Sequence, residues 1–380
     1  MLKKLSCVLV VVLMLGSCLF LPACGNKKDG DTLKIGAMIA VTGSETKYGN
    51  DMLNAYKMAI DEVNAGGGVL GYKLELAYED DACDPQQGAL AGAKILAADP
   101  DYIIGGVCSG AVIPALQNFY DAGKLMLVSG ANSTRIIDLA LPQTFMVNSP
   151  GNHQIDKLID LLNDLGVKTV AVIHQGDDFS ANLSEICDEK LPPAGFQIVT
   201  TEIMQKGEQD VSAIVNKVRT SGAEIVMWCG YYADGSNLIK QLRNGGYPGY
   251  ICVGDGSIND GIIEGSGPQG DGVFALSAPY VKFTEGGMEY FEKYKKLYNG
   301  LEPTPVSSIY YDTIMLLADG IRRAGATDTD EVIKAIEANN YQGLSGNLAF
   351  APDHTLQKSN FIVLKINAGA AEFELYNISN

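Results

Sequence analysis

Leu33-Lys34-Ile35-Gly36-Ala37-Met38-Ile39-Ala40 is an apolar run of strand length, and sequence of helical period follows it over 51–64. A second apolar run, Leu74-Glu75-Leu76-Ala77-Tyr78, leads into a second helical stretch over 86–98. Strand and helix alternating in this way make βαβ units, in which consecutive strands lie parallel. The rhythm continues with a strand over 102–107, a helix over 111–122 and a strand over 125–128, so a largely parallel sheet wrapped by helices is expected. After Pro150 it restarts: helix 154–165, strand 169–174, helix 181–190, strand 197–202, helix 211–220 and strand 225–229. Two such runs predict two α/β lobes of similar build. Further strands are expected over 250–253, 272–276 and 361–366, and 307–324 carries Tyr310, Ile314, Leu317 and Ile321 on one helical face. No long Pro/Ser-rich linker separates the halves, so several short crossovers are expected to join them.

Ahead of these elements, Lys3 and Lys4 precede an apolar run from Leu5 to Leu21, the pattern of an export signal. The run ends in Leu21-Pro22-Ala23-Cys24, which resembles a bacterial lipobox, so 1–23 read as a lipoprotein signal peptide and Cys24 as the acylated residue. Leu15-Gly16-Ser17-Cys18 is an earlier match, but it would leave Leu19, Phe20 and Leu21 on the mature end. The polar 24–31 segment suits a tether after the later site. An uncleaved transmembrane anchor is the alternative, since ~20 apolar residues just span a bilayer. Both place the globular part outside the cytoplasm, lipid-anchored on the outer face of the cytoplasmic membrane, or in the periplasm if the cell has an outer membrane.

About 355 residues then remain, too many for one ordinary core and natural for two domains. The 28 basic and 45 acidic residues leave a net charge of −17, which argues against nucleic acid or an anionic membrane surface as partner. The formal G-x-G-x-x-G at Gly66-Gly67-Gly68-Val69-Leu70-Gly71 follows a helix and precedes a strand, the reverse of a dinucleotide-binding turn, and reads as a helix stop. A Rossmann-type enzyme carrying bound NAD is therefore the weakest reading. His153, His174 and His354 have no metal-site spacing, and no nucleophile elbow, Walker loop or Cys-x-x-Cys occurs. No catalytic residue, metal or cofactor is expected, and the chain reads as a binder.

Of the cysteines beyond the signal, Cys83 follows one strand and Cys108 ends its neighbour, so both fall at one edge of the first lobe, where a bridge would contribute roughly 3 kcal/mol. Cys187, Cys229 and Cys252 read as small buried apolar residues.

Tyr78-Glu79-Asp80-Asp81-Ala82-Cys83-Asp84-Pro85, followed by Ile103-Ile104-Gly105-Gly106-Val107-Cys108-Ser109, resembles the leucine/isoleucine/valine-binding protein family. Thr42-Gly43, Tyr48-Gly49, Leu125-Met126, Ile173-His174, Cys229-Gly230-Tyr231-Tyr232 and Val253-Gly254-Asp255-Gly256 follow in the family's order, so the resemblance covers essentially the whole mature chain. It implies a disulfide between Cys83 and Cys108 beside a ligand cleft. It also implies an α/β type I periplasmic binding protein fold, two Rossmann-like lobes with parallel central sheets joined by three crossovers. The first lobe is expected from 32–149 plus 279–352 and the second from 150–278 plus 353–380.

By the same resemblance Ser109 holds a ligand carboxylate. A helix N-terminus favours an anion at that position, although a plain N-cap would look the same. Gly130 and Asn132, in Ser129-Gly130-Ala131-Asn132, are the matching backbone and side-chain contacts; Asn132 also reads as a turn residue. Asp255 takes the place of the carboxylate that meets the ligand's ammonium, and its alternative is an Asp-Gly turn. Tyr48, Phe179, Tyr231 and Val306 fall at positions surrounding the ligand side chain, where burying a leucine-sized group contributes roughly 1.5–3 kcal/mol.

Asp255 stands where leucine binders of the family have Glu, Phe179 lacks a tyrosine hydroxyl, and Val306 replaces a larger aromatic, which leaves the ligand's side chain open. The implied function is capture of an L-amino acid, leucine, isoleucine or valine first among them, by a monomer that delivers it to an ABC permease. A ligand-sensing receptor of the same fold for amides, urea or another small solute is the alternative.

Overall fold

The computed structural model describes residues 32–379; the signal segment, Cys18, Cys24 and the tether lie outside the described residues. Two sheets organise the chain. The first has five parallel strands in the order β2-β1-β3-β4-β5, from β1 (Thr32–Ile39), β2 (Lys73–Asp80), β3 (Tyr102–Gly105), β4 (Met126–Val128) and β5 (Thr144–Met146). The second has seven strands. Its parallel part is β6 (Thr169–His174), β7 (Gln197–Ile203), β8 (Ile225–Cys229), β9 (Tyr250–Val253) and β10 (Phe274–Ser277). β13 (Ile362–Asn367) and β14 (Glu372–Tyr376) complete it antiparallel, in the order β14-β13-β10-β9-β8-β6-β7.

The chain changes sheets three times: after β5, after β10, and again before β13. Between the last two changes it packs helices and a short hairpin, β11 (Tyr341–Gly343) with β12 (Gly346–Leu348), beside the first sheet. The chain therefore has a type I periplasmic binding protein architecture of two α/β lobes. β5, β14 and the hairpin had no apolar run long enough to announce them, and the antiparallel pair at the end departs from the parallel rule that governs the rest.

Local departures from the expected element ends have steric causes. Helix α1 (Thr46–Ala65) starts five residues before the expected position, and Gly49 sits in its first turn. A Cβ on Gly49 would lie 1.9 Å from the Ala40 carbonyl oxygen, so only glycine lets the helix dock this close to the end of β1. β3 stops at Gly105 and not at Val107, because Gly105 and Gly106 take φ of 112° and 80°. A Cβ on Gly105 would fall 2.2 Å from the Met38 carbonyl oxygen. The Gly66–Gly71 segment is the helix stop and turn that its position implies, with positive φ at Gly67, Gly68 and Gly71.

Cys83 and Cys108 are bonded, their Cα atoms 5.4 Å apart. The bond joins the loop after β2 to the start of helix α3 (Ser109–Asp121). On the other side of that loop Asp84 caps helix α2 (Pro85–Ala97), accepting from Gln86 N–H and Gln87 N–H at 2.9 and 3.0 Å. Replacing both cysteines by Ala frees a closed loop with a sequence separation of 25 residues. This should lower unfolding free energy by about 3 kcal/mol; urea unfolding of the double variant against the parent checks it. Cys187, Cys229 and Cys252 are unbonded and buried in the second lobe.

Helix α4 (Ser307–Ala324) has the expected bounds, and Tyr310, Ile314, Leu317 and Ile321 are all buried. Its start is tied to α1 through Asp51, which accepts from Ser307 Oγ at 2.7 Å and Thr304 Oγ1 at 2.5 Å. Burial raises the Asp51 carboxyl to about 6 despite these hydrogen bonds. Among the described residues no helix is long and apolar enough to cross a membrane.

A candidate ligand-binding cleft between the lobes

The carboxyl ends of β4, β5, β6, β8 and β9 run into the loops that line one interlobe cavity, the place where an open α/β sheet presents its ligands. Seven residues expected to contact ligand line it: Tyr48, Gly130, Asn132, Phe179, Tyr231, Asp255 and Val306. Its volume is ≈ 30 Å³, room for little more than one or two waters, so the two walls are nearly in contact.

Asp255 follows β9 and is buried among amides. Its Oδ2 accepts from Asn132 Nδ2 at 2.7 Å and Asn148 Nδ2 at 3.3 Å, and Oδ1 accepts from Gln154 Nε2 at 2.8 Å. Gln154 also accepts the Asp255 backbone N–H at 3.1 Å, so one side chain clamps both the main chain and the carboxylate. Desolvation raises the Asp255 carboxyl to about 6, while the Gln154 and Asn148 hydrogen bonds hold it from rising further. A carboxylate offers about four acceptor positions, so three N–H donors leave it able to take another. None of the lining residues is a Lys, Arg or His.

Asn132, expected beside a ligand carboxylate, thus reaches across to Asp255. Ser109 does not line the cavity: it is buried at the start of α3, and its Oγ accepts the Ser133 N–H at 3.2 Å. That bond shapes the 129–133 loop; Ala111 and Val112 N–H bond the Cys108 carbonyl at 3.1 Å each, so of the first turn of α3 the Ser109 and Gly110 N–H groups are the ones left without intrahelical partners. Gly130 is tight for a steric reason, since a Cβ there would meet the Gly106 carbonyl oxygen at 3.0 Å.

The apolar wall is set by packing. Trp228 is fully buried, and its Nε1 donates to the Tyr231 carbonyl at 3.2 Å, while Tyr231 N–H donates to Gln175 Oε1 at 2.7 Å. Tyr231 and Phe179 lean together with centroids 5.2 Å apart. Phe179 enters beside Gly256, where a Cβ would come 2.7 Å from its ring. Tyr48 donates its hydroxyl to the Asp255 carbonyl at 3.3 Å. Val306 and Tyr310 close the wall from the residue before α4 and its first turn.

Contacts around the mouth join the lobes. Lys47 of α1 pairs with Asp260 at 2.8 Å and Glu264 at 3.1 Å, and Tyr232 OH donates to the Ser44 carbonyl at 2.9 Å. On the opposite rim Arg135 pairs with Asp178 at 2.7 Å and Glu185 at 2.8 Å. Asn148 and Gln154 carried no signal as site residues in the sequence, and Tyr310 was expected only on the buried face of 307–324. Gln154 and Asp255 are 101 residues apart and meet only through the fold.

A sequence profile of the family described as periplasmic binding protein matches residues 32–371. A leucine-, isoleucine-, valine-, threonine- and alanine-binding protein of Pseudomonas aeruginosa is 26% identical over 350 residues, 91% of this chain and 92% of that protein. Among solved structures, a leucine-binding protein LivK from Thermotoga maritima superposes with a TM-score of 0.84 at 23% identity, covering 92% of this chain and 99% of that one. LivJ of Streptococcus pneumoniae, a branched-chain amino acid transporter substrate-binding protein in complex with isoleucine, gives 0.82 at 21% identity, covering 90% and 98%. Likeness at this level of identity is one of fold.

Proposed function

The chain belongs to the periplasmic binding protein family, and on that premise we propose that it captures an L-amino acid between its lobes and delivers it to an ABC permease. Leucine, isoleucine and valine are the first candidates, all three being in the name of the Pseudomonas aeruginosa relative. The observation that carries the reading is Asp255: a buried carboxylate with acceptor capacity left, facing an aromatic wall with no basic residue in the lining. An α-ammonium supplies the missing positive charge, and burial between the walls makes that pairing stronger than in water.

In this reading the carboxylate of the ligand lies toward Gly130, Asn132 and the α3 N-terminus behind Ser109. Its side chain lies against Tyr48, Phe179, Tyr231 and Val306. Because the walls nearly touch, entry requires the lobes to part and Asn132 to release Asp255. A first lobe of 32–149 plus 279–352 closes by hinge motion on a second of 150–278 plus 353–380. The protein acts as a monomer, exported and held to the membrane by a lipid at Cys24.

One observation favours a second reading. Every side-chain donor on Asp255 is a neutral amide, and its carboxyl titrates near 6. A partly protonated acid among amides also suits an amide or urea, as in a solute sensor of the same fold. A thermal-shift screen of residues 29–380 against the standard amino acids, urea and short amides separates the two, since a ligand of the native state raises the melting point. A rise with leucine, isoleucine or valine supports transport of those acids, and a rise with another amino acid keeps the mechanism and renames the ligand. A rise with amides alone would overturn the amino acid reading.

A further inference from the structure

The ligand scheme leaves one acidic side chain between the lobes without a role. Glu45 is the residue before α1, 1% exposed, and its Oε2 has no hydrogen-bond partner. The Ser44 hydroxyl beside it, although outside strict hydrogen-bond geometry, is the group that most opposes the upward shift of this carboxyl. What covers this segment comes partly from the other lobe: the Ser44 carbonyl receives the Tyr232 hydroxyl, and Tyr232 packs edge-on against Tyr48 at 6.2 Å. A carboxylate desolvated with one oxygen unpaired is costly, whereas a protonated carboxyl is tolerated.

We propose that Glu45 is a proton-controlled latch on the cleft: the lobes shut over its neutral carboxyl, and its ionisation drives them apart. Closing therefore takes one proton from solvent onto Glu45, and opening returns it.

The surroundings favour the neutral form. Two carboxylates of the second lobe, Asp234 and Asp177, act on Glu45 in the same direction as burial, and Lys206, on an exposed loop after β7, is the one cation opposing them. Tyr48, Tyr231, Tyr232 and Tyr310 are the other titratable groups that feel it, and all four are themselves pushed upward by burial. Lys47, next along α1, is committed to Asp260 and Glu264. Burial, the largest cause, raises Glu45 from 4.5 to about 7. The sign follows: a group whose closed-state value lies above its open-state value favours closing below the lower value. That preference is lost as pH rises through the higher one, here between 4.5 and about 7.

Asp255 titrates over an overlapping range, but when ionised it keeps three amide donors in the closed form, so the two acids are separable by substitution. The test uses small-angle scattering of the ligand-free protein at pH 5 and pH 8. The parent should be compact at pH 5 and show a larger radius of gyration at pH 8, while Glu45→Gln stays compact at both. A closed-to-open ratio about three-hundredfold higher in the variant at pH 8 corresponds to the shift in Glu45 from 4.5 to about 7. The same swelling in Glu45→Gln as in the parent, or a parent of unchanged radius, overturns the latch. No ligand enters either arm, so this outcome and that of the thermal-shift screen stand independently.

Discussion

Asp255→Asn should weaken amino acid binding by up to about a hundredfold. The substitution keeps the shape and removes the charge that an α-ammonium needs. A charge-assisted hydrogen bond in a desolvated site is worth up to about 3 kcal/mol, or roughly a factor of a hundred. The free protein should suffer far less. An asparagine oxygen can still accept from Asn132 and Asn148, but its NH₂ then faces the Gln154 amide nitrogen. Gln154 cannot turn over without dropping the backbone N–H of residue 255, so one donor-to-donor contact costs about 1–2 kcal/mol. Calorimetric titration with whichever amino acid raises the melting point, beside the melting curve of the unliganded variant, checks both halves. Unchanged affinity would remove Asp255 from the site.

Gly49→Ala should cost about 3 kcal/mol or more, near the upper end for overpacking, because the new methyl meets backbone and not a movable side chain. It would sit 1.9 Å from the Ala40 oxygen and 2.4 Å from its carbon. Relief requires moving α1 off β1, and Tyr48 moves with it. Gly66→Ala at the other end of the helix is the control: φ there is −74° and the nearest atom to the new carbon is 3.4 Å away. Urea unfolding should separate the two variants clearly. Equal stability would mean that the close docking of α1 is not maintained in solution.

The fold was legible where local pattern and tertiary burial agree. The alternation from Thr32 onward and the apolar face of 307–324 are both local signals, and both elements stand where expected. Where a residue serves a distant neighbour, local reading misleads. The helix Tyr232–Asn244 went unread because Gly235 and the polar residues around it look like a loop, yet a Cβ at Gly235 would meet Trp228 Nε1 at 2.5 Å. The glycine is a packing requirement, not a break. The candidate site divides in the same way. Residues at strand ends were named through the family resemblance, and the fold gathers them because topology brings strand ends together. Gln154, Asn148 and Glu45 were missed because their roles come from partners in another segment or from burial that only the paired lobes create.

The antiparallel strands β13 and β14 have a consequence for how the protein is made. They cover β10 and finish the second sheet, although the strands they join were synthesised more than 80 residues earlier, counting from β10 at Phe274–Ser277 to β13 at Ile362–Asn367. Until residues near 367 emerge, the β10 edge has no partner on that side, and β14 then covers β13 in turn. The first sheet is complete by Met146 and is free to form early, whereas the second waits for the tail of the chain. The β10 edge thus stays open to a stray strand longer than any edge of the first sheet, which makes the second lobe the half more exposed to mispairing while the chain folds.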